Sequence, residues 1–73
     1  MIDENENEIR KKVDAYYILG EKVHISFKKK YWARGIITKI EPDYFILNET
    51  LQGRMVVLFS EVEDIEKFRG VKR

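Results

Sequence analysis

The sequence predicts a mainly β domain, in which an N-terminal helix is followed by a small, strongly bent, five-stranded antiparallel barrel. Apolar residues recur at helical spacing up to Gly20 and alternate with polar residues from there on. Residues 21–69 hold apolar stretches separated by turn-forming residues. Strands this short and this numerous must curl and close, because a flat sheet of that size would leave its edges exposed.

Length and composition indicate one domain and exclude several kinds of site. The 73 residues form a single domain, 1–73, with no cysteine and one histidine, so we expect no Cys/His zinc site and no cofactor. Charged residues make up 37% of the chain, against about 25% in ordinary domains, a mix common in thermophile proteins. No apolar run approaches the roughly 20 residues of a membrane helix. The acidic start MIDENENE is unlike a signal peptide, so we expect a cytoplasmic protein.

Residues 3–19 have the pattern of an amphipathic helix. The apolar face recurs at i, i+4, i+7 and i+8 and consists of Ile9, Val13, Tyr16 and Tyr17. Acidic residues crowd the start, where the helix dipole favours negative charge. Gly20 follows directly and is expected to end the helix as a left-handed C-cap.

The first two strands are predicted to form a hairpin with a basic connection at 28–30. Strand one alternates polar residues with the core positions Val23, Ile25 and Phe27. Strand two, 31–40, contains Gly35, which indicates a bend or a bulge. One face of strand two is expected to carry Trp32, Arg34, Ile36, Thr38 and Ile40.

Three further strands complete the predicted barrel. Residues 44–47 form the third strand after a turn, and the almost wholly apolar 55–59 forms the fourth. The fourth strand is expected to be buried on both faces or paired with a neighbour. One capped helical turn at 60–63 leads into the fifth strand, 62–68, with Ile65 and Phe68 as core residues. Residues 70–73 are expected to form a basic tail.

The run from Glu21 to Glu49 resembles the first three strands of Sm-like proteins, including the Hfq branch. The shared features are an opening Lys-Val-x-Ile, the basic hairpin, Gly35-Ile36-Ile37 on a long bent strand, and an acidic turn before an apolar strand. The stretch 55–65 resembles the fourth and fifth strands of that family with their tight link. The resemblance implies an Sm-like, Src-homology-3-like barrel behind a helix. It also implies RNA binding and a ring in which strand four pairs with strand five of the next copy.

The chain departs from this family where the family contacts bases. Many Sm-like proteins carry Asp-x-x-x-Asn after strand two, and the position matching the Asn is Phe45 or a close neighbour. The Arg-Gly or Lys-His before strand five is replaced by Phe59-Ser60-Glu61. The family's base-contacting residues therefore cannot be carried over, and fold alone does not establish function.

No arrangement of residues predicts catalysis, so we do not expect an enzyme. His24 is the only imidazole and is expected to be a plain surface or interface residue, while Ser26 and Ser60 lack a Gly-rich elbow. The four glycines are dispersed and form no phosphate-binding loop. One cluster of carboxylates lies in the last turn and the fifth strand and is expected to face solvent; it consists of Glu61, Glu63, Asp64 and Glu66.

Segment 28–34 combines cationic and aromatic side chains, the two ingredients of single-stranded RNA binding. Cations hold phosphates, and aromatic faces stack on bases. The alternative is that Tyr31 and Trp32 only pack against the helix or a neighbour. The candidate RNA-binding residues are Lys28, Lys29, Lys30, Tyr31, Trp32, Arg34 and, at the mouth of the other hairpin, Arg54.

Strand four would present an apolar edge in a monomer, which favours self-association. An unpaired edge invites pairing with another chain, and ring closure removes it. The charges of Glu63, Asp64 and Glu66 on strand five could instead block such pairing. The candidate subunit-interface residues are Met55, Val56, Val57, Leu58, Phe59 and Ile65.

Two functions remain open from the sequence. The first is a non-catalytic, ring-forming Sm-like protein that contacts single-stranded RNA through the basic-aromatic hairpin. The second is a protein-interaction barrel that docks into a larger protein or ribonucleoprotein assembly without direct RNA readout. A DNA-binding barrel is less favoured, because the basic residues are split between hairpin and tail. No membrane partner is expected.

Overall fold

The computed structural model describes residues 4–69 and contains one helix and five strands. The predicted tail, 70–73, and residue 3 of the predicted helix lie outside the described residues. A single 3₁₀ turn, Phe59–Glu61, separates the last two strands. The elements are α1 (Glu4–Leu19), β1 (Lys22–Phe27), β2 (Trp32–Ile40), β3 (Tyr44–Glu49), β4 (Gly53–Leu58) and β5 (Val62–Lys67).

The five strands form one antiparallel sheet in the order β4-β3-β2-β1-β5. The long strand β2 serves both halves of this sheet, since residues 32–36 pair with β1 and residues 35–40 pair with β3. Strands β4 and β5 are the two edges and do not pair with each other within residues 4–69. The structure thus confirms the predicted helix followed by a five-stranded antiparallel sheet.

Two local features bend strand β2: a close backbone approach at Gly35 and a shift of the pairing register after Ile37. A Cβ at Gly35 would overlap the carbonyl oxygen of Asn48 on β3, so only glycine allows the two backbones to approach this closely. The pairing register then shifts between Ile37 and Lys39, and the hydroxyl of Thr38 donates a hydrogen bond to the carbonyl of Ile46 (3.4 Å). The irregularity therefore lies after Gly35, not at it.

The register shift corrects the predicted face of Ile40. The sequence placed Ile40 on the same face as Trp32, yet its side chain is partly buried and packs on the core. One additional residue in a strand reverses the direction of every side chain that follows it. The bulge thus turns the last residue of β2 inward and completes the core at that end of the sheet.

Helix α1 ends as the sequence predicts. Gly20 has φ of 68° and donates its N–H to the carbonyl of Tyr17, while Glu21 donates to Tyr16, each at 3.2 Å. These two bonds satisfy carbonyls that the end of the helix leaves open, as in a Schellman motif. The helix has 16 residues, and none of the helices among residues 4–69 is long and apolar enough to cross a membrane.

One face of α1 covers the end of the sheet. Ile9 and Val13 are fully buried, and Tyr16 packs beside them, whereas Tyr17 is exposed, contrary to the prediction. Each residue of a helix is rotated about the helix axis from the residue before it, and this rotation turns the side chain of Tyr17 away from the barrel. The core that α1 completes consists of Ile9, Val13, Val23, Ile25, Phe27, Ala33, Ile37, Phe45, Leu47, Val57, Phe59, Val62 and Ile65.

The fourth strand is an open edge of the sheet in the described chain. Within β4, Val57 is buried, while 55% of Val56 and 40% of Leu58 remain exposed. The prediction that this strand is buried on both faces is therefore wrong for the single chain. The predicted cap of the following turn is also absent, because Leu58 stands at the capping position and makes no side-chain hydrogen bond.

Candidate nucleic-acid interface

The β1–β2 hairpin holds three consecutive lysines at its tip. The N–H of Phe27 bonds to the carbonyl of Tyr31 (2.8 Å), and the N–H of Lys30 bonds to the carbonyl of Phe27 (3.0 Å). Lys30 adopts a positive φ of 73°, which closes the turn. The N–H of Lys28 also bonds to the carbonyl of Glu61 (3.0 Å), which ties the turn to the link before β5.

The three lysines of this turn, here called the hairpin triplet (Lys28, Lys29 and Lys30), are exposed cations at the tip of the hairpin. Their side chains face solvent, and none of the ion pairs found in residues 4–69 includes them. Strongly hydrated ammonium groups on flexible stems suit non-specific contact with phosphates. The structure therefore leaves the positive charge of the hairpin available to an anionic partner.

Lys39, farther along β2, differs from the hairpin triplet because its ammonium is paired with a carboxylate. Its ammonium lies 3.0 Å from the carboxylate of Glu41. The hydrogen bond and charge of Glu41 raise the pKa of Lys39 above its ordinary value of 10.5, because they favour the charged form. Its charge is thus balanced locally and adds little to the basic hairpin.

The two aromatic residues after the hairpin triplet face opposite sides of the sheet. The ring of Tyr31 stacks on that of the buried Phe27, with centroids 4.4 Å apart and planes 16° apart. Trp32 points to the outer face, where 55% of its surface is exposed. The predicted basic-aromatic segment is therefore divided: Tyr31 is 45% exposed but stacks on a core residue, whereas Trp32 is open on the outer face.

Trp32 belongs to a group of side chains on the outer face that includes two residues the sequence did not single out for RNA contact. The rings of His24 and Trp32 stack with centroids 5.5 Å apart. The guanidinium carbon of Arg34 lies 4.6 Å from the Trp32 centroid and 5.0 Å from the Phe68 centroid. We call this group the outer-face cluster; it consists of His24, Trp32, Arg34 and Phe68.

Arg54 does not join the hairpin. It lies on edge strand β4 and pairs with Asn48 of β3, which in turn pairs with Ile36 of β2. One strand, β3, therefore separates Arg54 from β2, which carries Trp32 and Arg34, and two strands separate it from His24 on β1. The expected extension of the basic hairpin by Arg54 is not formed within one chain.

Comparison with solved structures identifies the architecture. The chain superposes on the 1.55 Å crystal structure of the pleiotropic translational regulator Hfq with a TM-score of 0.68. The match covers 77% of this chain and 92% of the other, at 12% sequence identity. The chain has an Sm-like fold. No protein-family model and no curated protein matches the sequence, so the likeness is one of fold.

Within this Sm-like fold the candidate interface residues divide by burial. Val57, Phe59 and Ile65 point into the chain's own core, and Met55 packs against it. Only Val56 and Leu58 present substantial side-chain surface at the β4 edge. The side chains available to a neighbouring subunit are thus fewer than the sequence suggested, while the backbone edges of β4 and β5 are open.

The sequence contained only part of the signal for the outer-face cluster. Alternation placed His24 outside β1 and Trp32 outside β2, but it gave no register between the strands. The pairing of His24 with Arg34 brings them together. Phe68 was expected in the core, yet it is only partly buried and lies beside Arg34 and Lys22 on the outside.

Proposed function

We propose that this chain is a non-catalytic RNA-binding protein that contacts single-stranded RNA through the hairpin triplet and Trp32. The observation that carries the proposal is the unpaired positive charge of the hairpin triplet next to a tryptophan that is 55% exposed. The likeness to a translational regulator supports it at the level of fold. The hairpin supplies phosphate contacts, and Trp32 supplies a surface on which a base can stack.

The energetics of such a site are favourable without any base-specific hydrogen bond. Phosphate neutralisation releases counterions, and a base stacked on an aromatic side chain contributes about 1–3 kcal/mol. A site of this kind binds many sequences and weakens steeply as salt is added. It does not need the base-contacting residues that the sequence lacks.

The two core phenylalanines of this chain offer less to RNA. Phe45 and Phe59 are fully or almost fully buried, and their rings pack 5.2 Å apart inside the core. The positions that resemble the base-contacting sites of other Sm-like proteins are therefore used for packing in this chain. This burial directs the proposal to the hairpin and the outer face.

Fluorescence anisotropy with labelled U-rich and A-rich single strands at two salt concentrations tests the proposal. We expect Trp32→Ala combined with Lys29→Glu to weaken binding by more than tenfold. The matched control is Tyr17→Ala combined with Lys11→Glu, which removes an exposed aromatic ring and reverses one charge on α1. Unchanged affinity in the first variant, or equal losses in both, would contradict this assignment of the site.

We further propose that copies of the chain associate through the open edges of β4 and β5 into a closed ring. Both edges are unpaired in residues 4–69, and the β4 edge carries exposed Val56 and Leu58. Of the acidic residues on β5, Asp64 is already paired with Lys12 (3.3 Å), which reduces the repulsion expected there. Edge-to-edge pairing would satisfy backbone groups that a monomer leaves to water.

Light scattering after gel filtration tests this association. The wild-type chain should elute as an oligomer, and Val56→Lys should shift it toward the monomer because it places a charge in the apolar edge. Ile18→Lys, a matched change on the exposed end of α1, should leave the oligomer intact. A wild-type monomer at all accessible concentrations would contradict the ring.

A protein-docking function is the second candidate, and one observation favours it. At the end of α1, Ile18 is 80% exposed and Leu19 is 66% exposed, which gives a small apolar surface. Such a surface suits a protein partner better than RNA. If the chain ignores RNA at low salt and captures one defined partner, with loss of capture in Ile18→Lys, this function replaces the first.

A further inference from the structure

The guanidinium of Arg34 is held in place by two aromatic rings. Trp32 lies two residues before Arg34 on β2. Phe68 lies on the other side of Arg34, because its N–H bonds to the carbonyl of Lys22 (2.8 Å), and Lys22 pairs with Ile36, two residues after Arg34. The two ring centroids are 4.6 and 5.0 Å from the guanidinium carbon. Contacts of this kind use the flat faces of a guanidinium and leave its N–H edge free.

That N–H edge has no partner among the described residues, 4–69. In residues 4–69, the side chain of Arg34 makes no hydrogen bond and no ion pair. A fixed, unpaired fork of donors matches a ligand with two neighbouring acceptors. In RNA these are the oxygens of a phosphate or the O6 and N7 atoms of guanine.

Glu66 distinguishes between these two ligands. His24 pairs with Arg34 on one side and with Glu66 on the other, so the three residues form one row across the outer face. Glu66 also lines a shallow hollow of about 250 Å³ together with His24, Lys67, Phe68 and Arg69. A carboxylate at this place accepts hydrogen bonds from the N1–H and the amino group of guanine, whereas a phosphate has no donor to offer it.

We infer that the outer-face cluster is a guanine-selective base site for single-stranded RNA. Arg34 donates to O6 and N7, Glu66 accepts from N1–H and the amino group, and the base lies over His24. Adenine presents a donor where guanine has O6 and an acceptor at N1, so it mismatches both side chains. This inference rests on the proposed RNA binding and adds the identity of the preferred base.

Competition anisotropy with U-rich nine-nucleotide strands that differ at one central position tests the inference. The position holds guanine, adenine, inosine or 7-deazaguanine. We expect guanine to bind between about fivefold and hundredfold tighter than adenine, the range of one good bidentate contact. Inosine, which lacks the amino group, and 7-deazaguanine, which lacks N7, should each lose part of that preference.

Two variants distinguish recognition by the paired N–H donors of the guanidinium from attraction by positive charge alone. Arg34→Lys keeps the positive charge and loses the fork, so it should no longer prefer the strand with guanine over the strand with adenine. Glu66→Gln should weaken discrimination against inosine. If wild type binds RNA but treats guanine and adenine alike, the inference is wrong and the proposed function stands. If wild type binds none of the strands at low salt, the proposed function itself is wrong.

Discussion

Two runs of three consecutive cations occur in this chain, and the fold gives them opposite roles. The first, here called the helix triplet, is Arg10, Lys11 and Lys12 on α1; the second is the hairpin triplet. Arg10 bonds to the carboxylate of Glu6 (3.0 Å) and to the carbonyl of Pro42 (2.7 Å), and Lys12 pairs with Asp64 (3.3 Å). Lys11 borders a surface hollow together with Glu4 and Glu8. Arg10 and Lys12 thus fasten α1 to the barrel, whereas the hairpin triplet remains available.

The same contrast holds for two pairs of arginine and aromatic side chains. Arg10 lies 4.2 Å from the centroid of Phe59, which is 2% exposed, and Arg34 lies 4.6 Å from that of Trp32, which is 55% exposed. The distances are nearly equal, but the first ring is part of the core and the second is open. Equal local contacts therefore serve stability in one place and binding in the other.

The largest expected effect is the difference in stability lost when the ring of Phe59 and the ring of Trp32 are each removed. Phe59→Ala should lower the free energy of unfolding by about 3–5 kcal/mol, because it leaves a cavity beneath α1. Trp32→Ala should lower it by less than about 1 kcal/mol, since little of that ring is buried. Urea denaturation followed by circular dichroism measures both. If Phe59→Ala does not fold, Phe59→Leu should show a smaller loss in the same direction, and equal losses at Phe59 and Trp32 would refute the contrast.

The next largest expected loss of stability is that caused by removing the side chain of Arg10. Arg10→Ala removes two hydrogen bonds to one carboxylate oxygen of Glu6, a hydrogen bond to Pro42 and the contact with Phe59, and should cost about 2 kcal/mol of stability. Arg34→Ala loses only contacts with rings and should cost about 1 kcal/mol or less. The same denaturation experiment ranks the two variants. A larger loss for Arg34→Ala would mean that the outer-face cluster supports the fold.

The ion pair between Lys12 and Asp64 should have a smaller effect. Both side chains are about half exposed, and exposed pairs contribute about 0.2–1 kcal/mol. A double-mutant cycle with Lys12→Ala and Asp64→Ala should give a coupling energy in this range that falls as salt is added. A coupling energy of zero at low salt would show that α1 is held by its other contacts alone.

The smallest effect concerns Lys39, a cation of β2 that belongs with the paired group. Glu41 raises the pKa of Lys39, so the contribution of this pair to stability is complete below pH 10.5 and is lost as the pH rises through the higher pKa of the folded chain. Carbon-13 NMR of the Lys39 side chain should show a pKa above 10.5 in wild type. In Glu41→Gln the value should return toward 10.5, and an identical titration in both proteins would contradict the pairing.

Local signals predicted most of the fold. Alternation gave the buried face of β1, and Gly20 gave the end of α1, because both depend on a few neighbouring residues. The bulge near Thr38 and the inward turn of Ile40 could not be predicted in this way. They arise from how β2 meets two different strands, and no local pattern encodes that fit.

The candidate site was less predictable than the fold. The tip of the hairpin and the outward direction of Trp32 follow from alternation, but the union of His24, Arg34 and Phe68 depends on strand register. The two cation triplets look alike as sequence, and only tertiary contacts show that Arg10 bonds to Pro42 and that Lys12 pairs with Asp64. Charge patterns locate candidate surfaces, whereas availability is a property of the folded chain.

The most direct test of this account compares matched double variants of the two triplets. One variant carries Lys28→Gln and Lys29→Gln, the other carries Lys11→Gln and Lys12→Gln, and the dependence of RNA affinity on salt is measured for each and for wild type. Each phosphate contact to a single strand contributes about 0.7 to the slope of log affinity against log salt concentration. The account predicts that the hairpin variant loses about 1.4 of this slope, while the helix variant keeps the wild-type value. Equal loss in both variants, or loss in the helix variant alone, would contradict it.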